Sequence, residues 1–285
     1  MRLAAPRAFR TAHSTRDTAN RGDAEPQAGG KSPVKELRQR ALELLSLPLL
    51  LLLWQVLAMH YANRLFPTPI AVAGHIWVLA TSEKLIPDFA KTLGRSAIAF
   101  VLSMLIGTVI GIALGRVRWL DRLFAGWVVV GLNLPAIVIA IVLYIWLGLT
   151  EFALILAVMC NKIPLVVTTI REGVKSFSAD FDELAAAFRM PFGRRLRLIF
   201  APQLMPFVLA AARTGLSLIW KIVLVFEVLG SDGGVGFRIN VFFQFFDMEG
   251  ILAYTVVFIA VVLVIEYGLM RALERKVSGW RTVRA

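Results

Sequence analysis

The sequence has little of what soluble enzymes use to build a site. It contains a single cysteine, Cys160, so no disulfide can form within the chain. Its three histidines, His13, His60 and His75, are scattered without the spacing of metal ligands. No G-x-x-x-x-G-K-[ST] motif occurs, so the chain has no P-loop to hold ATP phosphates. These absences exclude a disulfide scaffold, a histidine metal site and a P-loop NTPase.

Charged residues are also scarce. They make up 18% of the chain, whereas hydrophobic residues make up 58%, and the mean hydropathy is +0.72. Such a composition excludes an ordinary soluble domain, and apolar runs of about 18 or more residues are typical of transmembrane helices. We therefore predict an all-α membrane protein with six transmembrane helices, at residues 42–59, 93–115, 123–147, 152–170, 204–230 and 251–270.

The two ends of the chain differ from this membrane domain. Residues 1–40 are basic and lack apolar periodicity, which predicts a disordered cytosolic tail, and residues 272–285 form a cytosolic C-terminal tail. Residues 41–271 form the membrane domain. The first tail has no apolar stretch with a cleavage site, so we expect no signal peptide.

The net charge of +12 is unevenly distributed. If both termini are cytosolic, most Lys and Arg residues lie on the cytosolic side, as the positive-inside rule requires. The basic excess then faces anionic lipid, and we expect no nucleic-acid partner. The basic residues assigned to the outer side are Arg64, Lys84, Lys91, Arg95 and Arg238.

The polar interval 171–206 separates two predicted spans. Asp180 followed by Glu183 three residues later is typical of a capping box, which predicts a short helix beginning there. Pro191 and Gly193 are expected to break this helix before a second one. A capped, alanine-rich helix on the basic side of a membrane protein indicates a docking element for a cytosolic partner.

Glu183-x-Ala185, followed by Pro202 at +19 and Pro206 at +23, resembles the EAA loop of ATP-binding cassette (ABC) importer permeases, in particular the nitrate/sulfonate/taurine/bicarbonate branch. The likeness extends over nearly the whole chain after the first tail. Three further segments resemble an outer helix, a tight turn and a glycine-rich outer loop of that branch: LFPTPIAVAGHIWVL (65–79), WLGLTE (146–151) and LGSDGGVG (229–236).

Two positions depart from the family pattern. Leu184 stands where the second residue of the motif is normally Ala, and Arg189 stands where a Gly normally supplies positive φ at the turn. We expect Pro191 and Gly193 to move the break a few residues along.

The resemblance implies the type I ABC importer permease fold, with a cytosolic EAA-type coupling helix. It implies a non-catalytic, multi-pass subunit of the bacterial inner membrane that forms the path for a small anionic solute, such as a sulfonate, nitrate, taurine or an organic acid. The implied partners are an ABC ATPase subunit, a second copy of the permease and a periplasmic or lipid-anchored substrate-binding protein. The chain itself binds no cofactor, because ATP and Mg belong to the ATPase.

The residues expected to couple to the ATPase lie in or beside the short helix. Glu183 fits either a direct contact with the ATPase or a purely structural capping role. The apolar residues Phe188, Met190 and Phe192 fit a pocket of the partner, the membrane surface or packing against the helix bundle. The coupling candidates are Glu183, Ala185, Ala186, Phe188, Arg189, Met190, Phe192 and Gly193.

A lysine at membrane depth normally faces a partner or a water-filled cavity. Lys162 and Lys221 therefore suit a path for an anion, although pairing with Glu227 or Glu266, or snorkelling, explains them equally. Trp220 fits a gate or a core aromatic, and Asn133 fits the path or an interhelical hydrogen bond. The path candidates are Lys162, Lys221, Ser217, Asn161, Asn133 and Trp220.

Two other patterns bear on packing and on class. Gly107, Gly111 and Gly115 have small-xxx-small spacing, which predicts close helix contact. Pro135 predicts a kink in the third span. An ion channel or a stand-alone secondary transporter remains the alternative function. The sequence has neither a selectivity-filter motif such as TVGYG nor an inverted repeat in its hydropathy.

Overall fold

A computed structural model describes residues 33–61, 63–81 and 85–278. Within these ranges the chain is helical, without a strand, as predicted. Eleven α-helices and one π-helical turn follow in order: α1 (Pro33–Tyr61), α2 (Pro69–Thr81), α3 (Leu85–Arg116), α4 (Arg118–Asn133), α5 (Ala136–Leu147), α6 (Glu151–Lys175), α7 (Ala179–Ala187), α8 (Phe192–Arg195), the π turn (Leu196–Phe200), α9 (Ala201–Leu229), α10 (Val235–Gln244) and α11 (Met248–Ser278).

The chain divides into two units, residues 1–51 and residues 52–285. In the first unit, side chains are described for residues 45–51, and all of them are exposed. Helix continues into both predicted tails, because α1 begins at Pro33 and α11 ends at Ser278. The remainder of those tails, residues 1–32 and 279–285, lies outside the described residues.

By length and composition, four of the described helical segments can cross a membrane: Leu85–Arg116, Glu151–Lys175, Phe192–Leu229 and Met248–Gly268. The helix pair α4 and α5 makes a fifth span if it is counted as one. The first predicted span, 42–59, falls in α1, whose segment Leu45–Tyr61 is apolar but shorter.

The predicted third span, 123–147, is bent by 96° between α4 and α5. Pro135 has no backbone N–H and disfavours a helical residue before it, so Leu134 is extended, with φ −69° and ψ 124°. The kink expected at Pro135 is therefore a sharp break between two helices.

Helices α3 and α6 pack side by side and run in the same direction. A Cβ atom added to Gly107, Gly111 or Gly115 would stand 2.6–2.7 Å from the Cβ atom of a residue on α6. The three facing residues, in the same order, are Val166, Ile170 and Val174. Real Cβ atoms do not approach so closely, so this seam requires glycine, and the predicted packing role is confirmed.

The main core lies among α3, α5, α6 and α9. Ala99, Ala157, Val158, Ile219 and Val223 are completely buried in it. Apolar burial of this extent fixes the positions of the polar side chains described next.

Candidate functional site

Helix α7 is the short helix predicted in the interval 171–206, but it starts differently from the expectation. Its N-cap is Ser178, whose hydroxyl accepts a hydrogen bond from the backbone N–H of Asp180 at 3.3 Å. The predicted capping box of Asp180 with Glu183 is therefore wrong, because the extended residue before the helix lies two positions earlier. Asp180 instead lies in the first turn, where a negative charge favours the helix dipole.

The C-terminal end of α7 forms a Schellman motif. The N–H of Met190 donates to the carbonyl of Ala185 at 2.9 Å, and the N–H of Arg189 donates to that of Ala186 at 3.0 Å. Arg189 has a φ of +46°, the left-handed conformation for which glycine is usual. The expectation that Pro191 and Gly193 move the break is therefore wrong: the break stays at Arg189, and Pro191 serves as the N-cap of α8.

The coupling candidates divide into exposed and buried residues. Ala185 is buried, with 3% of its surface exposed, so it packs within the chain, and Met190 is half-buried. The other candidates are exposed: Glu183, Ala186, Phe188, Arg189, Phe192 and Gly193. Phe188 and Phe192 expose 70% and 79% of their surfaces, which is unusual for aromatic residues without a partner.

The two prolines of the EAA-like pattern lie beside α7. Pro202 and Pro206 belong to the first turns of α9 and line a groove of about 490 Å³ together with Phe181 of α7. The groove is otherwise lined by Ser176, Phe177, Leu198, Ile199, Gln203 and Phe207. The interval thus forms one connected surface around the short helix.

Lys221 lies on an exposed stripe of α9 with Thr214, Leu218 and Val225, which follow the helical repeat. It makes no hydrogen bond or ion pair to any residue that the structure describes. Ser217, one turn away, is half-buried. The predicted pairing of Lys221 with Glu227 is not formed, because Glu227 binds other groups.

Lys162 is placed quite differently. It exposes 1% of its surface, and its ammonium group has no hydrogen-bond partner among the described residues. Its side chain lies against Gly215 of α9, where an added Cβ atom would be 3.2 Å from its Cε atom. In this conformation Lys162 is therefore inside the helix bundle of one chain and does not reach an open surface or an interface by snorkelling.

The other path candidates differ in burial and in hydrogen bonding. Trp220 is 5% exposed and belongs to the main core, although its indole N–H has no partner in the described chain. The Asn133 side chain donates to the carbonyl of Val129 at 2.8 Å, so its hydrogen bond is within α4 and not between helices. Asn161 is half-buried.

The sequence assigned Arg95 to the outer side of the membrane but did not reveal that it is the centre of a buried charge cluster. Arg95 is 4% exposed and Glu227 is fully buried. Arg95 donates to Glu227 at 2.7 Å, to Glu151 at 2.6 Å and to Asp232 at 2.9 Å. These contacts join α3, α6, α9 and the loop before α10, and we call these four residues the Arg95 cluster.

Neighbouring groups complete the hydrogen bonds of the cluster. Glu227 also accepts from the Thr92 hydroxyl at 2.8 Å and from the Gly236 N–H at 2.9 Å. Lys91 pairs with Asp232 at 3.1 Å and thereby holds the pKa of that carboxyl below its usual range. Gly234 has a φ of +104° and lies against the Glu227 carboxylate, so a side chain there would be both strained and blocked.

A second ion pair, between Asp88 and Arg238, involves the same end of α3 as the Arg95 cluster. Asp88 accepts from Arg238 of α10 at 2.8 Å and from the Tyr254 hydroxyl of α11 at 3.1 Å. Asp88, Thr92 and Arg95 are spaced i, i+4, i+7, so one face of α3 carries all three. That spacing is a signal by which the sequence could have shown the cluster, together with the position of Glu227 inside the predicted span 204–230.

Comparisons of the sequence with known proteins match the chain to a transport family. The family model described as "Binding-protein-dependent transport system inner membrane component" matches residues 96–279. A putative aliphatic sulfonates transport permease protein SsuC of Bacillus subtilis (strain 168) is 25% identical over 232 residues, 80% of this chain and 83% of its own length. The riboflavin transport system permease protein RibX of Chloroflexus aurantiacus is 27% identical over 239 residues, 82% of this chain and 88% of its own length.

A solved structure shares the fold. The MetNI methionine ABC transporter, crystallised in inward-facing conformations, has a chain that aligns with a TM-score of 0.56 and 17% identity. The alignment covers 68% of this chain and 99% of that one. The helical arrangement described above is thus that of an ABC transporter permease, with α7 between two spans.

Proposed function

The chain belongs to the family of binding-protein-dependent transport system inner membrane components and is a multi-pass permease component of an ABC importer; from this premise we propose that two copies of it form the path for a small anionic solute. A separate ATPase subunit drives the pair through α7, and a substrate-binding protein delivers the solute at the outer face. The chain contributes no bond chemistry and binds no nucleotide.

The exposed surface of α7 supports the docking of the ATPase. Leu184 of α7 and Phe188 at its C-cap are exposed, as is the charged side chain of Glu183, and the small side chain of the exposed Ala186 leaves room for close approach. A patch that is apolar at its centre and charged beside it is typical of a binding surface. The sequence has no P-loop, so an ATP-driven transporter built from this chain needs a separate ATPase, which can dock on such a surface. This exposed helix is the observation that carries the proposal.

The position of Lys221 supports a path between two copies. It lies eight residues before the end of α9, about 12 Å along the helix, which places it well within a hydrocarbon core of about 30 Å. An exposed lysine at that depth costs about 2.5–3.5 kcal/mol against lipid. A second copy facing the same stripe would replace lipid with a hydrated path, and the ammonium group would then attract an anion.

The similarity to a permease named for aliphatic sulfonates agrees with an anionic solute. The similarity to a permease named for riboflavin transport favours a second candidate, a larger ring compound. Uptake assays in which an alkanesulfonate and riboflavin compete distinguish these two candidates. The proposed path, in which Lys221 contacts a negative group, predicts that the alkanesulfonate is taken up.

The positive-inside rule supports the orientation. Arg194, Arg195 and Arg197 follow α7, and Arg116, Arg118 and Arg122 lie where α3 gives way to α4, so both stretches belong on the cytosolic side. With this orientation the Arg95 cluster lies near the outer face and both termini are cytosolic.

The test is transport by the full complex in liposomes, with the cognate ATPase and binding protein. We expect ATP-dependent uptake that Glu183→Arg and Ala186→Trp abolish, because both change the exposed face of α7 and neither disturbs a buried residue. Ala97→Trp, the same enlargement at an exposed alanine of α3, is the matched control and should transport normally. Concentrative uptake by the chain alone would contradict the proposal.

The same assay tests the path. Lys221→Ala should reduce uptake about tenfold, since a hydrogen bond to a charged group contributes about 1.5–3 kcal/mol. Lys221→Arg retains the charge and should restore most of the uptake. Equal uptake by Lys221→Ala and the unchanged chain would remove Lys221 from the path.

A further inference from the structure

A separate groove lies between the end of α3 and the segment formed by α8 and the π turn. Its volume is about 410 Å³. Ile112 and Arg116 of α3 form one wall, and no residue of α7 contributes to it. The other wall consists of Phe192, Arg195, Leu196 and Phe200. The groove therefore combines an apolar floor with two guanidinium groups.

Arg116 is held in place by aromatic rings. Its guanidinium carbon lies 4.9 Å from the ring centre of Phe200 and 5.8 Å from that of Phe177. A guanidinium group over an aromatic ring is attracted by the negative face of the ring. The two rings thus hold the positive charge of Arg116 at one wall of the groove, where it can attract an oxyanion.

The segment that forms the second wall is strongly basic. Residues 189–206 contain four arginines and no acidic residue. Phe192, Leu196 and Leu198, which alternate with these arginines, expose 79%, 45% and 60% of their surfaces. Exposed apolar side chains interspersed with arginine are typical of a segment at the membrane surface, where the apolar parts enter the acyl region.

The dimensions of α3 place this segment at the boundary of the hydrocarbon core. Arg116 follows Arg95 by 21 residues, about 31 Å at 1.5 Å per residue, which is about the thickness of a core of about 30 Å. Phe200 lies against Arg116 at this boundary. The π turn at Leu196–Phe200 is therefore near the headgroups, and π turns occur frequently at functional sites.

We propose that this groove binds one anionic phospholipid of the inner leaflet. Arg116 and Arg195 contact its phosphate in addition to the contacts they already make, and an acyl chain lies along Ile112, Leu196 and Phe200. The bound lipid would pack against the same short segment that joins α7 to α9. The assignment to the inner leaflet rests on the orientation given under the proposed function, whereas the binding of the lipid does not.

The charge of the groove favours a lipid over a protein occupant. The apolar wall continues directly into the membrane span at both Ile112 and Phe200, so an acyl chain can enter from the bilayer without crossing water. The two arginines at its end suit a phosphodiester, whose negative charge is available in the same leaflet.

The experiment is native mass spectrometry of the purified full chain, titrated with phosphatidylglycerol or with phosphatidylcholine of the same acyl chains. We expect one phosphatidylglycerol per chain to be retained, and little phosphatidylcholine. Arg116→Gln combined with Arg195→Gln should weaken this retention about tenfold or more, since each arginine contributes a charge-assisted contact. Arg118→Gln combined with Arg122→Gln, exposed residues of α4, changes the net charge equally and should retain the lipid.

A second pair of variants protects the test against misfolding of the double arginine variant. Ile112→Trp fills the groove and leaves both charges, so it should also release the lipid. Val101→Trp, at a position of α3 that is 52% exposed and about 16 Å away along the helix, should not.

Four results would overturn the proposal. One is equal retention of phosphatidylglycerol and phosphatidylcholine, and another is unchanged retention in the variants at Arg116 and Arg195 and at Ile112. The third is an increase in the thermal midpoint with glycerol 3-phosphate as large as that with a short-chain phosphatidylglycerol. The fourth is stoichiometric displacement of the lipid by the ATPase; either of these last two results identifies another occupant. No transport or nucleotide is involved, so failure of the proposed transport function leaves the result interpretable.

Discussion

In its N-terminal half, α3 contacts α6 and α9 through buried charged and polar side chains, whereas in its C-terminal half it contacts α6 through glycines. Arg95 joins Glu151 of α6 and Glu227 of α9 at one end. Gly107, Gly111 and Gly115 lie against branched apolar residues at the other. The charged contacts are therefore sensitive to the loss of a charge, and the glycine contacts are sensitive to an increase in side-chain volume.

This difference has a consequence for movement. Ion pairs between buried groups have a few discrete partners and hold the first turns of α3 against α6 and α9. The contacts of the glycine seam are steric and have no such directional partners, so we expect relative movement of α3 and α6 to be opposed less there than at Arg95.

The largest expected effect comes from removing the central positive charge of the Arg95 cluster. Arg95→Gln leaves the buried Glu227 without its cation and removes the positive charge that it shares with Glu151 and Asp232, so the free energy of unfolding should fall by about 3–5 kcal/mol. The measurement is the thermal midpoint of the purified chain in detergent.

Lys91→Gln is the matched control for that change. It removes an ion pair with Asp232 from a side chain that is 42% exposed, so its effect should be about 0–1 kcal/mol. Similar losses for Arg95→Gln and Lys91→Gln would show that burial does not distinguish the two cations.

An intermediate effect is expected at the glycine end. Gly111→Val places a Cβ atom 2.7 Å from that of Ile170, and the resulting overpacking should cost about 1–3 kcal/mol. Gly94→Val, on the same helix, has open space around the added atoms and should change stability little. If both variants have the same thermal midpoint, the seam does not require glycine.

The smallest effect is expected beyond the seam, at the end of α7. Arg189→Gly relieves the left-handed conformation and should stabilise the chain by about 1 kcal/mol. Arg194→Gly removes the same charge inside α8, where glycine should destabilise by about 0.5–1 kcal/mol. Thermal midpoints that shift in the same direction for the two variants would contradict the role assigned to Arg189.

The sequence predicted the elements that depend on local pattern. Apolar runs located the helices α3, α6, α9 and α11, because each run is long enough to cross a bilayer. The spacing of Gly107, Gly111 and Gly115 predicted close packing, and Pro135 predicted the break in the third span. Each of these signals lies within a few residues of what it determines.

Other local features depended on a choice between neighbouring residues. Ser178 and Asp180 are both good N-caps, and the structure selects Ser178 because α6 ends just before it. The turn after α7 keeps its left-handed residue at Arg189 although a glycine lies four positions later, since two hydrogen bonds to Ala185 and Ala186 fix it there.

The sequence by itself determined the class of the protein, because membrane insertion is decided segment by segment from hydropathy and from the placement of positive charge. Only the tertiary structure decided which charges are buried together. Arg95 meets Glu151 and Glu227 across 56 and 132 residues of sequence, and Lys162 is enclosed where α9 crosses α6 at Gly215. Such contacts arise from the way the helices pack, and no single segment carries the information that specifies them.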